Sequence, residues 1–263
     1  MDLQLATRRA LVSGSTQGIG YAIARALLRE GAEVVINGRD EAGVHASVRS
    51  LQGEVPGAVV SGIAADLSNA GDVQRLLGSV GAVDILVNNV GLFEIAPFAE
   101  ISDADWSRYL DVNLMSGVRL SRALLPHMLA EGWGRIMFIS SESGVNVPAD
   151  MVHYGVSKAA TIALGNGLAK LTRGTAVTVN TILGGPTYSD GVAATVEGIA
   201  QAQGVPTEQL KAAIIGSNRT SLLERFIEAD EIAHLAAYLA SPLSSATNGA
   251  ALRADGGVLT TLL

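Results

Sequence analysis

Cysteine is absent from the 263 residues. Disulfide bridges, thiolate metal sites and cysteine nucleophiles go with it. No apolar run reaches the ~18 residues that a membrane-crossing helix needs. The first residues, Met1 to Thr7, carry an acid, Asp2, where a secretory signal would be basic, so the expected location is the cytoplasm. Positive charge is in deficit as well. A formal net charge of -7 gives no electrostatic reason to expect nucleic acid or an anionic membrane as a partner. The four histidines, His45, His127, His153 and His234, lack the spacing of a metal site, and no metal is expected. Prolines number 7 against 30 glycines, with 48% hydrophobic and 16% charged residues. That balance describes a compact globular chain, and its length falls within the range of one α/β domain, 1–263.

Short apolar runs alternate with amphipathic stretches along the chain. Arg9 to Val12, Glu33 to Ile36, Ala58 to Ile63, Asp84 to Val87, Gly134 to Ser141, Ala176 to Ile182 and Ala250 to Arg253 read as strands. Helical patterns lie between them, among them Asp40 to Leu51, one long helix over Asp103 to Leu129, Met151 to about Arg173, and Asp230 to Leu239. Strands separated by helices predict a parallel sheet wound on both faces, an α/β fold. A loop and helical stretch of about 184–220 follows the sixth strand, where a substrate lid belongs.

The first strand ends in Ser13-Gly14-Ser15-Thr16-Gln17-Gly18-Ile19-Gly20, and a helical pattern follows. Glycines there let the backbone turn sharply and bring N–H groups against a pyrophosphate at the helix amino end. The spacing differs from the GxGxxG of longer dinucleotide enzymes, and no Gly-Lys-Ser/Thr follows to make a P-loop. The second strand stops at Asn37-Gly38-Arg39. An acid there would bind the ribose hydroxyls of NAD; Asn37 and Arg39 favour a 2′-phosphate, hence NADP over NAD, although Asp40 stands ready to neutralise Arg39. Asp66 and Leu67 follow the third strand, with Asp66 either contacting an adenine amino group or capping the next helix. Asn88 and Asn89, ahead of Val90 and Gly91, tie strand ends together or simply make an Asx-rich turn. Asn113 sits inside a helical pattern that does not favour it, so it either faces solvent or its amide is used where the helix kinks.

On the helix beginning near Met151, Tyr154 and Lys158 stand at i and i+4 and point the same way. A fixed cation beside a phenol favours the phenolate and makes an acid/base device. The fifth strand delivers Ser141 about ten residues upstream. Ser141, His153 and Asp150 also raise a hydrolase triad, but no Gly-x-Ser-x-Gly elbow surrounds Ser141. A module that binds NADP as a redox sensor without chemistry is the remaining alternative, and it would be expected to carry a damaged site.

Gly14-x-x-x-Gly18-Ile19-Gly20, Asn88-Asn89-Val90-Gly91, Asn113, Ser141 and Tyr154-x-x-x-Lys158 together resemble the short-chain dehydrogenase/reductase family in its compact branch, over nearly the whole chain. The nearest flavour is the 3-oxoacyl thioester reductases. The resemblance implies a seven-stranded Rossmann sheet, a nicotinamide cofactor, and carbonyl/secondary-alcohol interconversion with NADP(H). It also implies a homotetramer or homodimer acting on a small-molecule substrate. Asn113, Ser141, Tyr154 and Lys158 would form the catalytic set: Tyr154 as acid/base, Ser141 orienting the carbonyl, Lys158 lowering the phenol and holding the nicotinamide ribose, and Asn113 anchoring a water. Ser15, Gln17, Gly185 and Thr187 join the glycine turn, Asn37, Arg39, Asp66, Leu67 and Asn89 to Gly91 as cofactor contacts. Ser13 stands for a usual threonine, Val90 for alanine, and Gly184 for the proline of a Pro-Gly turn, which predicts a looser loop. Phe93, Glu142, Val145, Asn146, His153 and Tyr188 are candidates for the substrate wall.

Overall fold

The structure is a computed structural model that describes residues 2–217 and 220–262. Its centre is a seven-stranded sheet with every neighbouring pair parallel. The strands are β1 (Arg9–Val12), β2 (Glu33–Gly38), β3 (Val60–Ala64), β4 (Ile85–Asn88), β5 (Trp133–Ser141), β6 (Ala176–Gly184) and β7 (Ala251–Ala254), in the order β3-β2-β1-β4-β5-β6-β7. The order reverses direction between β1 and β4. That is the switch point at which open parallel sheets leave a crevice beyond their carboxyl ends.

The five inner strands are buried on both faces while the edge strands β3 and β7 are only partly covered, and the inner side chains alternate between two cores. Ala10, Val12, Val34, Ile36, Ile85 and Val87 pack on one side with α1 (Gly18–Arg29) and α9 (Ala229–Ala240). Leu11, Val35 and Leu86 pack on the other with α3 (Ala70–Val80) and α5 (Ser116–Ala130). The doubly wound sheet expected from the alternation is the one observed.

Elements lie close to the expected boundaries, with three informative differences. The long helix over Asp103 to Leu129 is α4 (Asp103–Tyr109), then a π-helical segment Leu110–Met115, then α5. β6 runs two residues past Ile182, so Gly184 is a buried strand residue paired with Ser141 and Ala254. The looser loop predicted at Gly184 is therefore not found; ladder hydrogen bonds on both sides hold it. The stretch after β6 folds into α7 (Asp190–Gln203) and α8 (Thr207–Ser217). Local signals set several helix starts: Asp40 accepts from Gly43 N at 2.7 Å to open α2 (Glu41–Glu54), and Ser102 and Asp105 form a capping box on α4.

Phe138 fixes the helices that carry the site. It is 2% exposed, and its ring fills the space left by two glycines. A Cβ on Gly117 of α5 would lie 2.9 Å from Phe138 Cε1, and one on Gly165 of α6 (Val152–Ala169) 3.4 Å from its Cδ2. Phe138→Ala is expected to lower the unfolding free energy by about 3–5 kcal/mol in urea titrations. A loss below about 1 kcal/mol would remove Phe138 from this role.

Candidate active site

The glycine turn occupies the crevice between β1 and β4. Gly14 and Gly18 have φ of +59° and +60°, the left-handed region that favours glycine. Gly20 is required for space instead, since a Cβ there would lie 2.4 Å from both Asn89 Nδ2 and Gly14 O. Asn89 donates its amide to Ser13 O (3.1 Å) and Gly14 O (2.8 Å), and Ser13 Oγ accepts from the N–H groups of Asn89 and Val90. Of the two sequence readings, the strand-end tie is the one observed. Asn88 turns the other way and donates to Ser121 Oγ in the core.

Ser15 and Asn37 support the turn from within. Ser15 Oγ donates to Val12 O at 2.6 Å and accepts from Asn37 N at 3.0 Å. The Asn37 amide donates to Gly38 O, Ile63 O and Ala65 O, while its Oδ1 accepts from Gly14 N. Both side chains are buried and committed, so they shape the crevice rather than reach into it. What the crevice presents is backbone at the amino end of α1, beside the exposed Gln17 and the half-buried Ile19. One of those donors is already taken: Gly18 N–H donates to Asp190 Oδ2 at 2.6 Å.

Arg39 emerges past β2 exposed, with no ion-pair partner among the described residues. Asp40 does not neutralise it, because that carboxylate caps α2. An acid in place of Gly38 would not fit, since its Cβ would lie 2.5 Å from Thr16 Cγ2. Asp66 Oδ1 accepts from Ser68 N and Oγ, closing a turn, while Asn69 caps α3. Leu67 is buried and gives its carbonyl to Arg119.

The second half of the site lies beyond β4 and β5. Lys158, 6% exposed, donates Nζ to Ile139 O at 2.9 Å and stands 5.7 Å from the centroid of the Tyr154 ring. Gly91 makes room for it, because a Cβ there would approach Nζ to 3.2 Å. Asn113 lies in the π-helical segment, where its amide donates to Leu92 O and Ser157 Oγ and accepts from Leu92 N at 2.8 Å. Its amide is used, and by protein groups. Ser141 ends β5, where its Oγ accepts from Ser143 N at 3.1 Å.

Tyr154 and Ser141 open into a cleft of 220 Å³, together with Ile19, Phe93, Glu142, Met151, Gly185, Thr187 and Ser189. The Phe93 ring meets Tyr154 edge-on at 6.3 Å. Thr187 donates its hydroxyl to Gly185 O. Ser189 was not foreseen; it lines both this cleft and the 590 Å³ crevice over α1, and a polar residue just ahead of an acid-led helix was the available signal. Four wall candidates belong elsewhere. Val145 lines a groove with Ile162 and Ala250, Asn146 is exposed outside the cleft, and Tyr188 faces the α1 crevice and packs on Phe226. His153 is 2% exposed, its ring 4.0 Å from that of Tyr109. It points into the core, away from the cleft that Ser141 lines, and Asp150 is exposed outside that cleft. No hydrolase triad forms.

Comparison with known proteins agrees with this geometry. A family profile described as enoyl-(acyl carrier protein) reductase matches residues 14–259. The chain belongs to the short-chain dehydrogenase/reductase family. It is 44% identical to the uncharacterized oxidoreductase YvrD of Bacillus subtilis, with 100% of both chains covered. It is 32% identical to the D-beta-hydroxybutyrate dehydrogenase of Cupriavidus necator, over 95% of this chain and 97% of the relative. The L-sorbose reductase of Gluconobacter frateurii, solved with NADPH and L-sorbose, superposes with a TM-score of 0.93 at 30% identity and 100% coverage of both chains.

The electrostatics of this short-chain dehydrogenase/reductase site depart from the sequence expectation. Burial pushes the Tyr154 phenol up, the Ser141 hydrogen bond pulls it down, and the Glu142 carboxylate raises it further. Burial lowers the Lys158 ammonium itself to about 8. Between about 8 and its ordinary 10.5 the unfolded chain holds more protons than the folded one, so stability rises with pH across that window. Lys158→Met lacks the group and its pH dependence. Wild type is expected to gain on the variant by on the order of 3 kcal/mol between those pH values. Urea unfolding at stepped pH measures it, and a constant difference would contradict the buried ammonium.

Proposed function

We propose that this protein is an NADP(H)-dependent oxidoreductase that interconverts a carbonyl and a secondary alcohol. The observation that carries the proposal is one cleft lined by the Tyr154 and Ser141 hydroxyls, with a buried ammonium behind the phenol and a glycine-lined crevice leading to it. The residues present suit a dinucleotide: Thr16, Gln17 and Gly18 at the amino end of α1 line a 590 Å³ crevice, and Arg39 is exposed past β2 with no ion-pair partner among the described residues. The backbone of Gly14, Gln17, Gly18 and Ile19 would hold the diphosphate, Asp66 and Leu67 the adenine end, Arg39 a 2′-phosphate, and Asn89 to Gly91, Tyr154, Lys158, Gly185 and Thr187 the nicotinamide half. Bound there, the cofactor supplies a hydride to the carbonyl carbon or accepts one from the alcohol.

The protein's part is to hold the oxygen and move one proton. Ser141 donates a hydrogen bond to the carbonyl oxygen, and Tyr154 delivers its phenolic proton as charge develops there. The phenol gives up a proton reluctantly, for burial and Glu142 both raise it. Lys158, still largely charged at neutral pH, is the group that eases the proton's departure. Asn113 is a positioning residue, because both of its amide N–H groups are held by Leu92 and Ser157. The names of the relatives span a hydroxy acid and a ketose, so they leave the substrate open.

Tyr154→Phe is expected to lower kcat by about a thousandfold while NADPH Kd, followed by nicotinamide fluorescence, stays within about twofold. Near-normal turnover would end the assignment, and tight NADPH binding without turnover of any carbonyl by the wild type would favour the sensor instead. Arg39→Ala is expected to reduce the NADPH-over-NADH preference in kcat/KM by about 10- to 100-fold. A preference that survives the substitution would remove Arg39 from phosphate recognition.

A further inference from the structure

The polar groups around Tyr154 are almost all spent on the protein. Ser140 donates to Lys158 O at 2.9 Å, Ser143 Oγ to Glu142 Oε1 at 2.8 Å, and Thr187 to Gly185 O at 2.9 Å. Two groups keep capacity, the Ser189 hydroxyl at the start of α7 and the Glu142 carboxylate, and Glu142 is the charged one. It follows Ser141 directly and lines the same cleft, and its Oε2 has no hydrogen-bond partner among the described residues. Its charge is near enough to act on the Tyr154 phenol. The rest of the wall is largely apolar, with Ile19, Phe93, Met151, Pro186 and Val192 beside Ser189.

Positive charge is missing where a substrate anion would need it. No lysine, arginine or histidine is among the described residues that line the cleft. Lys158 lies behind Tyr154 with its ammonium on Ile139 O. Arg253 is turned onto Asp255 Oδ2 and the carbonyl of Thr261. The charged group that acts on Glu142 is a second acid, Asp255. A carboxylate entering this cleft would lose its hydration and meet acids.

Resting on the oxidoreductase reading above, we infer that Glu142 is a specificity-determining residue that selects an uncharged carbonyl compound bearing a hydroxyl near the carbonyl, and disfavours keto acids. The carboxylate accepts the hydrogen bond of that hydroxyl while Ser141 and Tyr154 hold the carbonyl oxygen. A bond to a charged acceptor of this kind favours the hydroxylated substrate over its plain analogue by about 10- to 100-fold. Burial raises the Glu142 carboxyl above its ordinary value, and either of its protonation states can bond a hydroxyl.

NADPH oxidation over two matched sets of substrates tests this. One set is acetone, hydroxyacetone, dihydroxyacetone and pyruvate; the other is fructose and levulinate. Wild type should turn over the hydroxyketones with kcat/KM at least about tenfold above both acetone and pyruvate, and fructose above levulinate. In Glu142→Val the hydroxyacetone-to-acetone ratio should fall by about 10- to 100-fold. In Glu142→Gln that ratio should survive in large part while the pyruvate-to-hydroxyacetone ratio rises several-fold. Each ratio is internal to one variant, so partial loss of folded protein cancels. Wild-type preference for the keto acids, or a ratio unmoved by Glu142→Val, overturns this inference alone. Failure of wild type to oxidise NADPH with any carbonyl overturns the oxidoreductase reading and this inference with it.

Discussion

An ammonium group buried against a single carbonyl is the constraint around which the site is built. Lys158 has Ile139 O as its hydrogen-bond partner, and burying a cation so sparsely is costly. The surrounding backbone is shaped to tolerate it. Gly91 cannot carry a side chain without crowding Nζ, and Gly144, in the turn after β5, would press a Cβ to 2.8 Å from Lys158 C. Gly155 meets Val147 and Ser143 in the same way. Helix α6 therefore lies directly against the turn that follows Ser141, and that close approach joins a strand-end hydroxyl to a helical phenol.

The other side of the lysine is held by the π-helical segment. An ordinary α-helix from α4 into α5 would turn Asn113 by a different angle; the wider turn lets its amide bridge Leu92 and Ser157. Ser157 in turn donates to Tyr154 O, so the loop after β4, the kinked helix and α6 are linked through one buried amide. The cofactor half of the crevice is arranged differently. There Asp190, at the start of α7, takes the Gly18 N–H that a diphosphate would use. The segment beyond β6 and the amino end of α1 are thus in contact, and an anion there would compete with a carboxylate for that donor.

Much of this was legible in the chain. Fully buried parallel strands read as short apolar runs, and Ser141, Tyr154 and Lys158 sit where strand ends and helical spacing predict. Side-chain direction was not legible. Asn37 at a strand end could have faced outward or inward, and only the neighbouring carbonyls of β3 and the glycine turn decide for inward. His153, next to Tyr154 in sequence, lies one helical step of about 100° around α6, and that step carries it onto Tyr109 and out of the cleft. Tyr188 is likewise drawn away by Phe226 and Lys211. The π turn leaves no mark in the apolar spacing beyond an unfavoured asparagine.

The electrostatic balance was the least legible of all. A one-turn spacing between Tyr154 and Lys158 argues for a lowered phenol, yet desolvation and Glu142 outweigh the Ser141 hydrogen bond and raise it. Lys158 suffers the same desolvation, so phenol and ammonium are both biased toward neutrality. Helical spacing brings the two groups together, but what surrounds them sets their charge: the packing that buries both, and the Ser141 and Glu142 side chains that act on the phenol from the end of β5 and the turn after it.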